Sequence, residues 1–287
     1  MSRSGAVYIF TRTVTTWSQE AYIKASNPDV EDFFSVVSLS GNGLTLAVGA
    51  GGEDSNAIGI NGDQTNNSAS FAGAVYVFIK SGGVWSQQAY IKASNAENGD
   101  RFGTVSLSDD GNTLAVGAGF EDSNATGING SQGNNGSGLT SGAVYIFERS
   151  GTTWTQAAYV KASNTGNNDL FGRSLCISGD GNTLVVGALQ EDSNATGVNG
   201  NETNNLADQS GAVYIFKNNA GTWSQQTYLK ASNAEANDSF SSAIVISDNG
   251  NTLAVSANLE DSNAVGINGD QSNNSATFSG AVYICEE

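Results

Sequence analysis

Four acidic pairs, Glu53-Asp54, Glu121-Asp122, Glu191-Asp192 and Glu260-Asp261, each open a run of the form Glu-Asp-Ser-Asn-Ala that ends in Asn-Gly. Carboxylates followed closely by Asn amides and Gly-exposed carbonyls are hard oxygen donors of the kind Ca2+ collects, so these eight residues are candidate ligands for Ca2+ or another hard cation. A second reading stands beside it: Asp and Asn side chains fold back on the loop's own backbone, with Gly127 and Gly130 supplying positive φ. Acid/base catalysis is a weaker use of the same residues. The chain has no His, and identical pairs in every unit do not make the asymmetric acid and base that a catalytic site requires. No Gly-rich phosphate loop, Cys/His cluster or Gly-x-Ser-x-Gly elbow occurs, so no catalytic residue is assigned and a non-enzymatic role is expected.

Two further sets recur in step with the pairs. Asp32, Asp100, Asp169 and Asp238 sit just ahead of a strand-like segment, where a carboxylate caps backbone N–H groups. Lys24, Lys92, Lys161 and Lys230, each in Lys-Ala-Ser-Asn, are the regularly placed cations and are expected to pair with the loop acids, within or between units. The recurrent Trp and Tyr residues suit either core packing or stacking on sugar rings.

The elements that position these groups follow from the repeat. Gly-Ala-Val-Tyr begins at Gly5, Gly73, Gly142, Gly211 and Gly280, and Trp17, Trp85, Trp154 and Trp223 keep the same interval of 68 or 69 residues. Self-similarity at a fixed period is the signature of a repeat architecture. In the second copy, Phe102–Ser108 alternates with period two, Asp109-Asp110-Gly111-Asn112 is a tight turn, and Thr113–Ala118 returns. A third strand, Gly142–Phe147, is apolar on both faces, and a fourth runs from Trp154 to Ala162. Strands buried on both faces belong to a sheet covered on both sides. The expected fold is all-β: a β-propeller of four repeated four-stranded antiparallel blades, because radial stacking leaves only short, protected edges. A β-solenoid is disfavoured, since its coils are shorter and pair in parallel. One domain spans 1–287, with repeats near 27–95, 96–164, 165–233 and 234–287 and N-terminal strands within 5–26. The segment Trp17–Ser26 could complete the last blade as a clasp. One third strand is then surplus, and it is either displaced, or part of a longer array, or shared between two chains.

At Phe102-Gly103 and Gly117-Ala118 the chain resembles the FG-GAP repeats of integrin-α-like propellers, and with its Gly-Ala-Val-Tyr and Trp-x-Gln-Gln strands the bacterial secreted subgroup of them. Phe-Gly becomes Phe34-Ser35 and Phe240-Ser241, the last Gly-Ala is Ser256-Ala257, and the family's Pro is absent. The calcium loop that such blades carry in the first hairpin is not transferred, because Asp109-Asp110-Gly111-Asn112 is too short for it. The resemblance implies an extracellular or cell-surface bacterial protein, its export signal outside this sequence, serving in adhesion or as a scaffold. A multivalent lectin and a self-assembling surface or filament protein that shares strands are the alternatives.

With 28 acidic and 11 basic residues and a net charge of −17, a phosphate backbone is repelled and nucleic acid is not expected as a partner. A protein or glycan on a surface, or a second copy of the chain, fits better. No stretch reaches the length of a membrane span, and membrane insertion is not expected. Cys176 and Cys285 recur in no other copy and read as small buried hydrophobes.

Overall fold

The computed structural model describes residues 2–133 and 139–286, and every element among them is a strand. A hairpin of β1 (Val7–Thr13) and β2 (Thr16–Ile23) comes first. The first blade is β3 (Phe34–Leu39), β4 (Thr45–Ala50), β5 (Ala74–Ser81) and β6 (Val84–Ile91). The second is β7 (Thr104–Leu107), β8 (Thr113–Ala118), β9 (Ala143–Ser150) and β10 (Thr153–Val160). The third is β11 (Phe171–Ile177), β12 (Thr183–Ala188), β13 (Ala212–Asn219) and β14 (Thr222–Leu229). The last comprises β15 (Phe240–Ile246), β16 (Thr252–Ala257) and β17 (Ala281–Glu286). Each sheet is an antiparallel meander in chain order, as short turns between neighbouring strands favour.

Three blades are thus four-stranded and the last has three strands, so the expectation of a clasp is corrected. β2 pairs with β1, from Thr16 opposite Thr13 to Ile23 opposite Val7, and among the described residues β17 pairs only with β16. The reason is local: Val14-Thr15 joins β1 to β2 in a tight hairpin, which closes at far less entropic cost than a loop spanning the whole chain. The array of blades is open. Asn134 and Asn135 of the second long loop lie outside the described residues.

Cores form between blades as much as within them. One cluster joins Ala47, Val77 and Ile91 of the first blade to Leu107, Leu114 and Phe147 of the second, and the next joins Val144 and Ile146 to Leu175 and Leu184. The Phe-Gly and Gly-Ala motifs meet at these seams. A Cβ on Gly49 would lie 1.8 Å from the carbonyl oxygen of Gly103, and one on Gly117 2.0 Å from that of Gly172. The Gly of one blade's second strand is therefore a slot for the backbone of the next blade's first strand. Gly gives way to Ser at Ser35, which is exposed, and at Ser256, which is half-buried, so neither has to admit a neighbouring strand's backbone. Ser241 occupies the Phe-Gly position against Gly187 with φ of 90° and a buried hydroxyl that has no partner.

A β-bulge recurs in every fourth strand after its Trp, leaving Gln88 or Ala157 as the extra residue. The bulge residue faces the next blade's Trp: the Trp154 indole Nε1 donates to Gln88 Oε1 at 3.0 Å, and Trp85 Nε1 donates to Glu20 at 3.2 Å. Ala157 cannot accept, and the Trp223 Nε1 is buried without a partner. A buried donor left unmade costs roughly 1–3 kcal/mol. Ala157→Gln is expected to raise the denaturation midpoint by an amount equivalent to about 1 kcal/mol, read by urea unfolding.

Candidate functional site

Each acidic pair follows the second strand of a blade, where the chain leaves the sheet for the long loop. In the second blade Glu121 is buried, and its two oxygens are fully engaged. Oε2 accepts from Lys161 Nζ at 2.9 Å, and Oε1 accepts from Tyr159 OH at 2.8 Å and from Asn95 Nδ2 at 3.0 Å. Lys161 Nζ also donates to the Ser123 carbonyl and to Ser141 Oγ, both at 2.8 Å. Asn95 belongs to the Lys-Ala-Ser-Asn that closes the preceding blade, and its Oδ1 accepts from Tyr145 OH at 2.6 Å. The network therefore ties a strand, a loop and two blades together.

The first and third blades repeat it. Lys92 reaches Glu53 at 2.7 Å and Lys230 reaches Glu191 at 2.8 Å, each pair buried. Asn27 and Asn164 donate to the same carboxylates at 3.1 and 3.0 Å. The pairing is within a blade, and the Asn contact is the one between blades. Burial pushes the three ammonium groups below the ordinary lysine range, and the facing carboxylates pull them partly back. The Tyr phenols are pushed up by burial and by the same carboxylates. Asn27, Asn95, Asn164 and Asn233, and the Tyr of Gly-Ala-Val-Tyr, were not singled out from sequence as members of this cluster; their recurrence in register was the available signal.

The Asp of each pair points elsewhere. Asp54, Asp192 and Asp261 accept from the backbone N–H of Phe71, Gln209 and Phe278 at 2.8, 2.8 and 2.7 Å, three residues with φ between 55° and 58°. The pair therefore splits between two jobs, and its oxygens do not converge on one point. A cation at Glu121 would have to displace the ammonium of Lys161 and would be repelled by it. At Glu53, Glu121 and Glu191 the residues do not fit Ca2+, because an ammonium already sits on each carboxylate, and among the described residues no group of three or more metal-binding side chains comes together.

The remaining carboxylates cap the blade entrances. Asp32, Asp100, Asp169 and Asp238 accept from the N–H groups of Asp29, Glu97, Gly166 and Glu235 at 2.5–2.8 Å and are buried. Burial, reinforced by neighbouring carboxylates, pushes Asp100 and Asp169 up to about 7 and Asp32 and Asp238 up to about 6, against the pull of the capping N–H. Each folded-state value lies above the unfolded one, so the folded state binds the proton more tightly and gains stability as pH falls from above 7 toward 5. The melting temperature is expected to be roughly 3–6 °C higher at pH 5 than at pH 8. Asp100→Asn, which keeps the acceptor oxygen and removes the charge, should stabilise at pH 8 and flatten part of that slope.

The aromatic side chains are committed to packing. Phe102 meets Tyr145 and Phe147 edge-on with ring centroids 5.4 and 6.1 Å apart, and Tyr145 leans on Tyr159 at 5.2 Å. Trp154 and Trp223 are buried. Large exposed aromatics cluster instead on the β1–β2 hairpin: Tyr8, Phe10, Trp17 and Tyr22.

A blade built this way, with Phe-Gly of one unit seated on Gly-Ala of the unit before, matches the model of the FG-GAP repeat over residues 85–147, 154–216 and 223–285. The chain belongs to the FG-GAP repeat family. No curated protein matches it in sequence. Among solved structures, a protein from Lactobacillus plantarum superposes with a TM-score of 0.50 at 13% identity, over 90% of this chain and 59% of that one. A Bacteroides uniformis protein whose name proposes a 6-phosphogluconolactonase activity does so with a TM-score of 0.49 at 12% identity and the same coverage. This FG-GAP chain thus spans about three fifths of the length of either, and at such identities the likeness concerns the fold.

Proposed function

We propose that this FG-GAP chain is a non-catalytic binding and scaffolding module that works outside the bacterial cell. The observation that carries the reading is the fate of its recurrent reactive groups: Glu53, Glu121 and Glu191 and their lysines are consumed in buried pairs within a blade, and the Asn and Tyr that tie one blade to the next are consumed with them. What remains for a partner is the polar loop rim, rich in Asn, Asp, Ser and Thr, on a chain of net charge −17. Such a rim suits hydrogen bonding to a protein or glycan surface and repels polyanions. Burial of Trp154, Trp223 and the strand tyrosines removes the repeated stacking platform that a lectin would use. The family's usual extracellular setting supports the location, and no helix long and apolar enough to cross a membrane occurs among the described residues.

Two assays test the reading. Calorimetry with Ca2+ after chelation should give no binding heat, and incubation with a sugar-phosphate lactone should give no hydrolysis above background. Saturable Ca2+ binding, or turnover that survives repurification, would overturn it.

A further inference from the structure

Two of the chain's few cations stand apart from the buried ion pairs. The Arg101 guanidinium lies over the rings of Phe71 and Phe120, 5.1 and 5.2 Å from their centroids, and the Arg173 guanidinium lies over Phe120 at 5.6 Å. Phe71, Arg101, Phe120 and Arg173 thus form one ladder of rings and cations that crosses the two seams between the first, second and third blades. Both arginines are exposed and both rings are half-buried. Among the described residues neither guanidinium has a hydrogen-bond acceptor or a carboxylate partner, on a chain with 28 acidic residues. Arg149 shows the usual alternative: it stacks on Trp154 at 5.4 Å and spends its N–H groups on Asn112, Gln88 and Thr45. Stacking on a ring holds a guanidinium by its face and leaves its N–H edge free for a planar anion.

The ladder is not a product of the repeat. The counterparts of Arg101 in the other blades are Phe33, Leu170 and Ser239, and those of Phe120 are Gly52, Gln190 and Leu259. Arg173 has no counterpart in the first two blades: Ser106 and Cys176 hold the same register position, yet Ser106 comes four residues after Phe102 and Cys176 five after Phe171. The inserted residue lies in the irregularity between Phe171 and Ser174. Its N–H donates to the Leu170 carbonyl at 3.1 Å, and the Gln190 N–H donates to the Asp169 carbonyl at 3.2 Å, so Arg173 and Gln190 stand against the same turn. Gln190 opens onto a cavity of about 280 Å3 whose other walls are the amides of Asn167, Asn168 and Gln209 and the carboxylates of Asp192 and Asp208. Two stacked guanidiniums and an all-polar hollow therefore lie side by side on the loop rim.

We infer that this part of the rim binds a saccharide that carries a carboxylate, with the carboxylate on the N–H edges of Arg101 and Arg173 and the neighbouring hydroxyls in the cavity. A guanidinium fork matches a carboxylate in geometry and charge. Amide and carboxylate walls offer the mixed donors and acceptors that hydroxyl groups, each donor and acceptor at once, can satisfy. An acidic peptide fits less well, because its further carboxylates would meet Asp192 and Asp208. The net charge of −17 likewise opposes a densely charged chain and favours an isolated carboxylate. The assignment rests on the reading of the chain as a binding module and names the ligand class for one place on its rim. It needs no repeated aromatic platform, since the rings here hold the arginines and not the sugar.

The test is calorimetric titration of the full chain, at low salt, with a disaccharide of glucuronic acid and glucose. Wild type should bind it saturably, and added salt should weaken the binding. The methyl ester of the disaccharide, which keeps the hydroxyls and loses the charge, should bind about tenfold more weakly or worse, as should a short peptide with a single Glu. Arg101→Gln and Arg173→Gln should each cost a similar factor while leaving the melting temperature near that of wild type, because both side chains are exposed. Arg173→Lys, which keeps the charge without the planar fork, should fall between, and Gln190→Ala should weaken the disaccharide and not the peptide. No binding by wild type, equal affinity for acid and ester, equal affinity for the peptide, or binding untouched by both Arg→Gln changes would each overturn the inference. Absence of saccharide binding removes this site alone, whereas the wider reading falls only to Ca2+ binding or lactone turnover.

Discussion

Lys161→Met is expected to lower the stability of the protein by about 3–5 kcal/mol. The side chain would fit, since Met matches the apolar stem of Lys in volume, but Glu121 would remain as a buried carboxylate facing only a phenol and an amide. Breaking one partner of a buried ion pair costs more than the pair itself contributes, because the survivor keeps its desolvation penalty without its compensation. Ser141 Oγ and the Ser123 carbonyl would lose a donor as well. Adding Glu121→Gln to Lys161→Met removes the stranded charge and should recover a large part of the loss. Chemical denaturation of the two variants checks this: equal midpoints for the single and double variants would mean that Glu121 is stabilised by something other than the ammonium.

The second large effect is expected from Gly117→Ala. The backbone at Gly117 is ordinary β-strand, so conformation does not demand Gly there. The obstacle is the neighbouring blade, whose Gly172 carbonyl oxygen would be 2.0 Å from the new methyl group. Backbone on backbone cannot yield as a flexible side chain does, and the two blades must part, at a cost of about 3 kcal/mol or more. Gly127→Ala is the control. Gly127 has φ of 69° but opens onto free space, so it should cost only about 1 kcal/mol, the conformational penalty alone. A Gly117→Ala variant as stable as the control would mean that the seam between blades is loose and that the Gly-Ala motif has another purpose.

Both predictions concern the seams, and so does the last blade. Where a seam is complete, Phe-Gly, Gly-Ala, Trp, Lys and Asn are all enclosed; where it is interrupted, the same residue types are left exposed or short of a partner. The exposure of Trp17, Val282 and Ile284 is thus a property of position in the array and not of residue type.

The period of 68 or 69 residues, the alternation of Phe102–Leu107 and the doubly apolar Gly142–Phe147 were enough to read an all-β chain of repeated four-stranded units, because strand character and turn chemistry are local. The membership of the recurrent Glu, Asp and Lys sets was legible too, since equal spacing in a repeat means equal environment. Their roles were not. Whether Glu121 faced a cation, solvent or Lys161 depends on a contact across 40 residues and on burial that no local pattern encodes. The second acid of a pair is the same kind of group and yet has a different setting, as Asp54, Asp192 and Asp261 show by capping a backbone N–H, because successive residues leaving a strand point to opposite sides. Likewise the Trp, read as core or sugar platform, became core only where a preceding blade stands against it: Trp154 is buried and Trp17 is not. Local sequence determined the blade; the packing of one blade on the next decided which groups are structural and which are left exposed.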